Sequence, residues 1–428
     1  MHIPTFHIKT FGCKVNQYES ELIREGFIRL GFEGSSLEEA DVVLVNSCTV
    51  TAQADSRVRA FIRKAARENP NARLIVTGCY VSFEQDRRGL NAMSGVWKLV
   101  PNGEKALIPS IAAETLGIPG PYGDPPSGVE HFAFHTRAFL KIQDGCDNRC
   151  AYCKVSLARG PSASRNENDI LKELEGFVRR GYREIVLTGI CMGSWQGCSG
   201  GGLEELLKRV DSIRGDFRVR LSSIEPGYVT KGVISAVAGS KKIARHLHIP
   251  LQSGSDRILA LMRRGYDRNG FLALVARVRE KIPLCGITLD IISGFPKESE
   301  TDHADSLDLL EKIKPSRTHV FCYSDRAGTE AYLLDEKVPR QVIIRRAAEL
   351  SAAGERWALE FAGAFIGKTV QVLVEKNTGQ GPSRGYTDEY VEAIVPAQQV
   401  RRGEIENVIA KTTDGKAPIL VCELKKHD

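Results

Sequence analysis

The sequence lacks any long apolar run. No stretch of its 428 residues approaches the roughly 18 consecutive apolar residues that a membrane span requires, so no membrane partner is expected. The N-terminus, MHIPTFHIKTFG, also lacks the apolar core of a secretory signal peptide. We therefore expect the protein in the cytoplasm, where thiols are kept reduced.

A strong excess of charge is also missing. The net charge is +6, and residues 363–428 carry nine basic against nine acidic side chains. Charge alone therefore does not indicate a nucleic-acid-binding surface. With 42% hydrophobic and 26% charged residues, the composition is that of a globular protein, and the length predicts two or three domains.

Cysteine, in contrast, is abundant. An odd count of 11 in a long cytoplasmic chain argues against a disulfide framework and favours metal or redox chemistry. GCDNRCAYC contains Cys146, Cys150 and Cys153, which we call the loop trio. A structural zinc site uses four closed ligands, and no fourth Cys or His follows within a few residues. Three thiolates, which are soft ligands, would instead hold three irons of a [4Fe–4S] cube and leave one iron open.

The first part of the chain alternates strand and helix patterns. Residues 1–116 are predicted to form a doubly wound parallel sheet. Three of its strands, FHIKTFGC, DVVLVNSC and RLIVTGC, end on Cys13, Cys48 and Cys79, which we call the N-terminal trio. The carboxyl ends of such strands share one ligand-binding edge. Residues 117–136 begin with GIPGPYGDPPSG and are predicted to be a linker.

The rest of the chain has two further patterns. Residues 137–362 repeat a strand-and-helix unit about six times, which predicts a partial (β/α)6 barrel with its function on the loops after the strands. The first of these loops holds the loop trio. Residues 363–428 contain short strands and Gly-rich turns, which predict a small β-barrel of the oligonucleotide-binding kind. The predicted fold class is therefore α/β, with a small C-terminal β-barrel.

The motifs resemble those of the radical S-adenosylmethionine (SAM) methylthiotransferases. CxxxCxxC with an aromatic residue before its last cysteine, here Tyr152, is the hallmark loop of radical SAM enzymes. KTFGCKVNQYES, VNSCTVTAQADS and VTGCY are similar to the family's N-terminal domain. SSIEP, HIPLQSGSDRILALMRR, DIISGFPKE and VFCYSDRAGTEA are similar to its central domain, and RGYTDEYV lies in a segment similar to the RNA-binding TRAM domain. The resemblance covers essentially the whole chain.

The resemblance implies two [4Fe–4S] clusters and SAM as cofactors. The loop trio would hold the cluster whose open iron binds SAM, which is then cleaved to methionine and a 5′-deoxyadenosyl radical. The N-terminal trio would hold a second cluster, from which sulfur reaches the substrate. A zinc knuckle is the simpler alternative for the first trio, and buried structural cysteines are the alternative for the second. We treat five cysteines as free thiols: Cys191, Cys198, Cys285, Cys322 and Cys422.

Residues after the barrel strands are expected to contact SAM together with Tyr152. They are Thr188, Gly189, Ser222, Ser223, Glu225, Gln252, Ser253 and Gly294. Turn chemistry is the alternative for them, because Gly and Ser favour turns without any ligand. Near the N-terminal trio, Asn16 and Gln17 are candidate substrate contacts or caps of the following helix. Arg159 and Arg165 either contact phosphates, shape the SAM pocket or form a solvated basic face.

The resemblance implies a methylthio transfer to C2 of N6-threonylcarbamoyladenosine beside the tRNA anticodon. Its partners would be tRNA and a low-potential electron donor of the flavodoxin or ferredoxin type, with the sulfur source left open. CKVNQYES around Cys13 resembles this branch, whereas the isopentenyladenosine branch tends to have CQMN and the ribosomal branch CPKN. In the C-terminal barrel, Tyr386 and Tyr390 either stack on RNA or pack in the core.

Three alternatives to this function stay open. One is a methylthiotransferase for isopentenyladenosine in tRNA, and another modifies an aspartate of a ribosomal protein. The third is a non-catalytic iron–sulfur RNA-binding protein. The chain also departs from the family pattern at KVSL after the loop trio, at an alanine in RGPSASR where an arginine is common, and at Cys191. These departures leave the six predicted ligands unchanged.

Overall fold

The N-terminal segment is a parallel sheet covered by helices on both faces. In the computed structural model, which describes residues 2–132, 135–198, 200–376, 381–396 and 400–425, its strand order is β2-β1-β3-β4-β5. The strands are β1 (Thr5–Thr10), β2 (Glu33–Gly34), β3 (Val42–Ser47), β4 (Arg73–Gly78) and β5 (Val96–Val100). The helices are α1 (Lys14–Arg29), α2 (Ala52–Glu68), α3 (Glu84–Asn91) and α4 (Ile108–Thr115). Helices α1 and α4 share one core, and α2 and α3 share the other, so the predicted doubly wound sheet is confirmed.

Helix α1 begins earlier than its apolar pattern indicates. The pattern SELIREGFIRLGF predicts a helix from Ser20, whereas the helix begins at Lys14, with Cys13 at its N-cap. The first turns look polar in sequence, but Asn16, Glu19 and Ser20 are buried and hydrogen-bonded. The Cys13 side chain makes no capping hydrogen bond, so its thiol is available for another role.

The central segment is an open barrel of six parallel strands. The strands are β6 (Arg137–Lys141), β9 (Glu184–Thr188), β10 (Arg218–Leu221), β11 (His246–His248), β12 (Gly286–Ser293) and β13 (Arg317–Cys322), with a small hairpin of β7 (Gln143–Asp144) and β8 (Ala163–Ser164) after β6. A parallel bridge between Ser223 and His248 joins the first three strands to the last three. The six predicted strands are all present, and the partial barrel is confirmed.

Helices surround this barrel on its outer side. They are α5 (Val155–Arg159), α6 (Glu167–Arg179), α7 (Leu203–Ser212), α8 (Lys231–Gly239), α9 (Asp256–Leu261), α10 (Arg268–Lys281), α11 (Glu300–Ile313) and α12 (Arg340–Gly363). Several of these helices begin at a residue whose side chain caps the helix N-terminus. For example, Ser299 and Asp302 form a capping box at the start of α11. In the described residues, no helix combines the length and the apolar character needed to cross a bilayer.

The predicted linker, residues 117–136, contains neither helix nor strand in its described part. Val129 and Phe132 are nevertheless buried in the barrel core, and the backbone of Glu130 donates a hydrogen bond to Glu25 of α1. The segment therefore packs along the junction between the first two domains. The domain boundaries themselves stay predictions.

The C-terminal segment is a closed five-stranded barrel, as predicted. Its strands are β14 (Thr369–Lys376), β15 (Ser383–Thr387), β16 (Glu392–Val395), β17 (Ile405–Thr413) and β18 (Ile419–Leu424), in the order β14-β15-β16-β18-β17. This C-terminal barrel packs against the N-terminal ends of the strands of the central barrel. Arg220 donates hydrogen bonds to the carbonyl oxygens of Thr387 at 3.0 Å and Asp388 at 2.9 Å. A Cβ on Gly286 would lie 2.0 Å from the Glu389 carbonyl oxygen, so this close approach requires glycine.

The N-terminal domain closes the open side of the central barrel. Helix α1 packs against the edge strand β6. After the opposite edge strand β13, Arg326 pairs with Asp55 at 2.5 Å and donates a hydrogen bond to Thr49 at 2.7 Å. The barrel interior is therefore enclosed by all three domains, with the C-terminal domain at its base.

Candidate active site

The loop trio lies in the turn that follows the first barrel strand. Gly145 enters this turn with a φ of +68°, and a Cβ there would lie 1.9 Å from the Pro161 carbonyl oxygen. The backbone N–H of Cys153 donates to the Cys150 carbonyl at 3.0 Å, which draws the last two cysteines together. Arg264 donates a hydrogen bond to Cys150 Sγ at 3.1 Å and also pairs with Glu225. The loop is therefore held from a distant part of the chain.

The N-terminal trio gathers at the carboxyl ends of β1, β3 and β4. A Cβ on Gly12 would lie 2.7 Å from Cys48 Cβ, so glycine lets the turn before Cys13 approach Cys48. Cys48 and Cys79 are buried, whereas Cys13 is exposed. Burial raises the pKa of Cys48 to about 11. The predicted convergence of three strand-end thiols is thus present in the fold.

Arg159 connects this trio to the central domain. It donates hydrogen bonds to Cys79 Sγ at 3.4 Å and to Asn16 Oδ1 at 2.6 Å, and it pairs with Glu19 at 2.8 Å. Burial opposes the ionisation of Glu19, yet Lys105 together with Arg159 and Lys141 holds its pKa well below the ordinary value. With 2% of its side chain exposed, Arg159 is not part of a solvated basic face.

Arg165 is likewise engaged inside the protein. It pairs with Glu173 at 2.8 Å and donates to the Tyr18 hydroxyl at 3.0 Å and to the Lys141 carbonyl at 2.7 Å. The alternative of a solvated basic face is therefore wrong for both arginines, whereas contact with phosphates or with the SAM pocket stays a prediction. Both tie the N-terminal helix α1 to the barrel.

Two neighbouring cavities connect the trios to the barrel interior. The upper cavity, of 240 Å³, is lined by Cys153, Tyr152 and Gln252 together with Thr51 of the N-terminal domain. The lumen cavity, of 460 Å³, is lined by Cys13 and by side chains of the barrel strands. Asp290 and Phe321 line both cavities, so a shared wall separates them. Each cavity thus has a thiol of one trio in its lining.

Comparison with known proteins decides the family. Residues 5–97 match the family described as Uncharacterized protein family UPF0004, and residues 140–310 match the Radical SAM superfamily. The threonylcarbamoyladenosine tRNA methylthiotransferase MtaB of Chlamydia pneumoniae is 38% identical over 380 residues, which are 88% of each chain. The chain belongs to the radical SAM methylthiotransferases.

Two further relatives agree with this placement, and one solved structure shares the fold. MtaB of Thermotoga maritima is 35% identical over 95% of this methylthiotransferase and 94% of the relative. The tRNA-2-methylthio-N(6)-dimethylallyladenosine synthase of Christiangramia forsetii is 33% identical over 87% of this chain and 83% of the relative. The radical SAM methyltransferase TsrM from Kitasatospora setae has a TM-score of 0.56 at 14% identity, covering 74% of this chain and 73% of its own, which shows the fold alone.

The loop trio fits the [4Fe–4S] cluster that the Radical SAM superfamily implies. Its three soft donors lie in one loop, partly exposed and free of disulfides. Among the described residues, only His248, Asp290 and His319 bring three ligand atoms within 4.8 Å of one another, so neither trio has the compact spacing of a single zinc ion. When bound, the cluster and SAM supply radical chemistry that protein side chains lack.

The predicted SAM contacts fall into two groups, and members of the first line one of the two cavities or are held next to the loop trio. Tyr152 and Gln252 line the upper cavity, and Ser222 and Ser223 line the lumen cavity. Gln252 has a φ of +66°, an unusual conformation for a residue other than glycine. Glu225 is engaged by Arg264 next to Cys150. Their roles in SAM binding stay predictions.

The second group has structural partners in the fold. Thr188 is buried and its carbonyl accepts from Ile142 at 2.9 Å, while a Cβ on Gly189 would lie 2.8 Å from Gln143 Oε1. Ser253 is buried and its hydroxyl accepts from the Ser255 backbone at 3.2 Å. A Cβ on Gly294 would lie 2.2 Å from Ile343 of α12. Turn and packing geometry accounts for these four positions, and contact with SAM stays a prediction.

The candidate substrate contacts beside Cys13 differ from each other. Asn16 is buried and donates to the carbonyl oxygens of Phe11 at 2.7 Å and Ser47 at 2.9 Å, so it fixes the loop that carries Cys13. Gln17 is half-buried one position further along. Both lie within α1 and neither occupies its N-cap position. Helix capping is therefore not their role, and substrate contact stays a prediction.

The structure also assigns places to residues that the sequence analysis treated differently. Tyr390 stacks on His246 at 4.8 Å and on Tyr386 at 4.7 Å at the barrel base, so both rings pack between domains, and stacking on RNA stays a prediction. Cys191 is buried, and its thiol hydrogen-bonds with Cys146 of the loop trio, which raises the pKa of Cys146. Arg264, which contacts Cys150, carried no local signal in the sequence.

Proposed function

We propose that this methylthiotransferase acts on tRNA and converts N6-threonylcarbamoyladenosine to its 2-methylthio derivative. The observation that carries the proposal is Lys14, which lines the lumen cavity next to Cys13. Among the described residues, Lys14 has no ion-pair partner, whereas the other two basic side chains of the lining, Arg137 and Arg220, pair with Glu184 at 2.5 and 3.0 Å.

The side chain of the proposed substrate suits this cavity. A threonylcarbamoyl group offers a carboxylate, a hydroxyl and a urea-like linkage, whereas an isopentenyl group is purely apolar. Polar groups facing an isopentenyl chain would lose hydrogen bonds to water without replacement, at a cost of about 1–3 kcal/mol each. The relatives at 38% and 35% identity bear the name of the threonylcarbamoyladenosine enzyme, which supports the same choice.

We further propose that the N-terminal trio holds a second [4Fe–4S] cluster. In support, its three thiols lie at one sheet edge, and Cys13 is exposed toward the lumen cavity. The chain's own contribution there is to position the ligands, because Asn16 and Arg159 fix the Cys13 and Cys79 loops. A flavodoxin- or ferredoxin-type protein would supply electrons.

The test is a competition between two tRNAs. Anaerobic holoenzyme with SAM and a reductant receives equal amounts of tRNA bearing N6-threonylcarbamoyladenosine and tRNA bearing isopentenyladenosine. Mass spectrometry of the digested nucleosides should show the methylthio product of the first tRNA only. Preference for the isopentenyl substrate would overturn the assignment, and absence of both products with a modified ribosomal-protein aspartate would place the enzyme in the third branch. SAM cleavage without any product would leave no support for a tRNA substrate.

A further inference from the structure

The lumen cavity is lined by residues with buried polar atoms that make no hydrogen bond within the described part of the chain. Asp290 Oδ1 and His319 Nε2 are buried side-chain atoms without a hydrogen-bond partner among the described residues. Both residues line the cavity that also holds Lys14. A buried acceptor and a buried imidazole nitrogen are costly unless a ligand satisfies them, and the exposed Lys14 in the same space has no ion-pair partner among the described residues.

These side chains are held in place by neighbouring strands. His248 Nε2 lies 3.0 Å from Asp290 Oδ2, and its Nδ1 lies 2.8 Å from Thr288 Oγ1. His319 Nδ1 lies 3.5 Å from Asp290 Oδ1 on the other side. Because β11, β12 and β13 are adjacent parallel strands, His248, Asp290 and His319 are held rigidly where the last two line the lumen cavity. Cys13 lines the same cavity.

We propose that Lys14, His319 and Asp290 form the receptor for the threonylcarbamoyl side chain, an inference that rests on the proposed function. Lys14 pairs with the carboxylate of that group, and His319 Nε2 accepts a hydrogen bond from its hydroxyl, because His319 Nδ1 faces the Asp290 carboxylate as a donor. Asp290 Oδ1 accepts a hydrogen bond from an N–H of the urea-like linkage. The receptor thus complements an anionic group that also carries donors, which neither unmodified adenosine nor an isopentenyl group offers.

Asp290 and His319, together with His248, have a spacing that would also suit one divalent metal ion. The charges of the lining argue against a cation. Arg137 and Arg220 are compensated by Glu184, but Lys14 lines the same cavity without an ion-pair partner among the described residues, and its positive charge repels a second cation there. An anionic ligand gains from the same field. The electrostatics therefore favour the substrate side chain over a metal.

The test measures a ratio of affinities. Holoenzyme without reductant, so that no turnover occurs, is titrated with one tRNA carrying N6-threonylcarbamoyladenosine and with the same tRNA carrying unmodified adenosine. The wild type should prefer the first. Lys14→Met and His319→Phe should each lower this preference by roughly tenfold or more, as expected when a charged or buried hydrogen bond is lost. Lys14→Arg should retain it, and Lys208→Met, on an exposed helix face, serves as the matched control.

Iron content and circular dichroism show that each variant is folded and loaded. If Lys14→Met and His319→Phe keep the wild-type preference while the enzyme still methylthiolates the threonylcarbamoyl tRNA, the receptor assignment alone is overturned. If elemental analysis finds one equivalent of a divalent metal other than iron that is lost in His319→Phe, the site is a metal site. If the wild type methylthiolates isopentenyl tRNA instead, the proposed function fails, and the receptor fails with it.

Discussion

Glu184 is the carboxylate at the centre of the barrel base, and we predict that Glu184→Gln destabilises the enzyme strongly. Its side chain is 0% exposed and pairs with Arg137 at 2.5 Å, Arg218 at 2.5 Å and Arg220 at 3.0 Å. Glutamine keeps the size of the side chain but removes its charge. Three buried guanidinium groups then lose the anion that they share.

The magnitude follows from that loss. Removing one partner of a buried ion pair costs about 3–5 kcal/mol, because the remaining charge stays desolvated. For a domain of roughly 150–250 residues, each kcal/mol lowers Tm by about 2–4 °C, so the variant should unfold about 6–20 °C below the wild type. The matched control is Glu205→Gln, whose pair with Lys208 is exposed on both sides. Exposed ion pairs contribute about 0–1 kcal/mol to stability, so the Tm of the control variant should hardly change.

The stability that the ion pairs of Glu184 contribute should also depend on pH. Burial opposes the ionisation of Glu184, yet Arg218, Arg220 and Arg137 hold its pKa well below the ordinary value of 4.5. A carboxyl group whose pKa is lowered on folding stabilises the protein above its unfolded pKa and loses that contribution as the pH falls. The Tm difference between wild type and Glu184→Gln should therefore be complete at pH 7 and shrink below about pH 4.5. Thermal unfolding followed by circular dichroism measures both effects. A Tm at pH 7 within about 2 °C of the control would refute the reasoning.

Two further predictions concern the trios. Replacing the three cysteines of the loop trio by alanine should leave about half of the iron and abolish SAM cleavage. Replacing the N-terminal trio should leave SAM cleavage intact and stop methylthio transfer. SAM cleavage by the first variant would contradict the assignment. Arg159→Met should lower methylthio product at least about tenfold with SAM cleavage retained, because Cys79, Asn16 and Glu19 lose a shared donor. Arg179→Met, on an exposed helix face, is its control, and equal product yields from both variants would argue against a positioning role.

The fold was largely predictable because its signals are local. Cysteines that follow β-branched runs mark the ends of β1, β3 and β4, and strand–helix alternation marks the six barrel strands. A repeat of this kind depends on hydrophobic periodicity within about ten residues, which a single sequence displays. The start of α1 was missed because its first turns bury polar side chains such as Asn16 and Glu19, which hides the apolar face.

The contacts around the trios could not be predicted in the same way. Arg264 reaches Cys150 across 114 residues, and Arg159 reaches Asn16 across 143. Pairings at such separations depend on how domains dock, which no local pattern encodes. A weaker signal was present in the barrel strands. His246 and His248 stand two residues apart in β11, as do Thr288 and Asp290 in β12, and alternate polar residues in buried strands indicate a lined interior.

The position of Lys14 links substrate choice to sulfur transfer. Cys13 is the N-cap of α1 and Lys14 is its first residue, so both side chains are placed by the same helix start. That start is fixed by Asn16, which holds the Phe11 and Ser47 carbonyls, and by Arg159 from the central domain. If the threonylcarbamoyl side chain of the substrate binds at Lys14, the adenine that carries it is therefore positioned next to Cys13, and no part of the protein has to move. Discrimination and reaction geometry then depend on the same docking between two domains, and a change that loosens it should weaken both together.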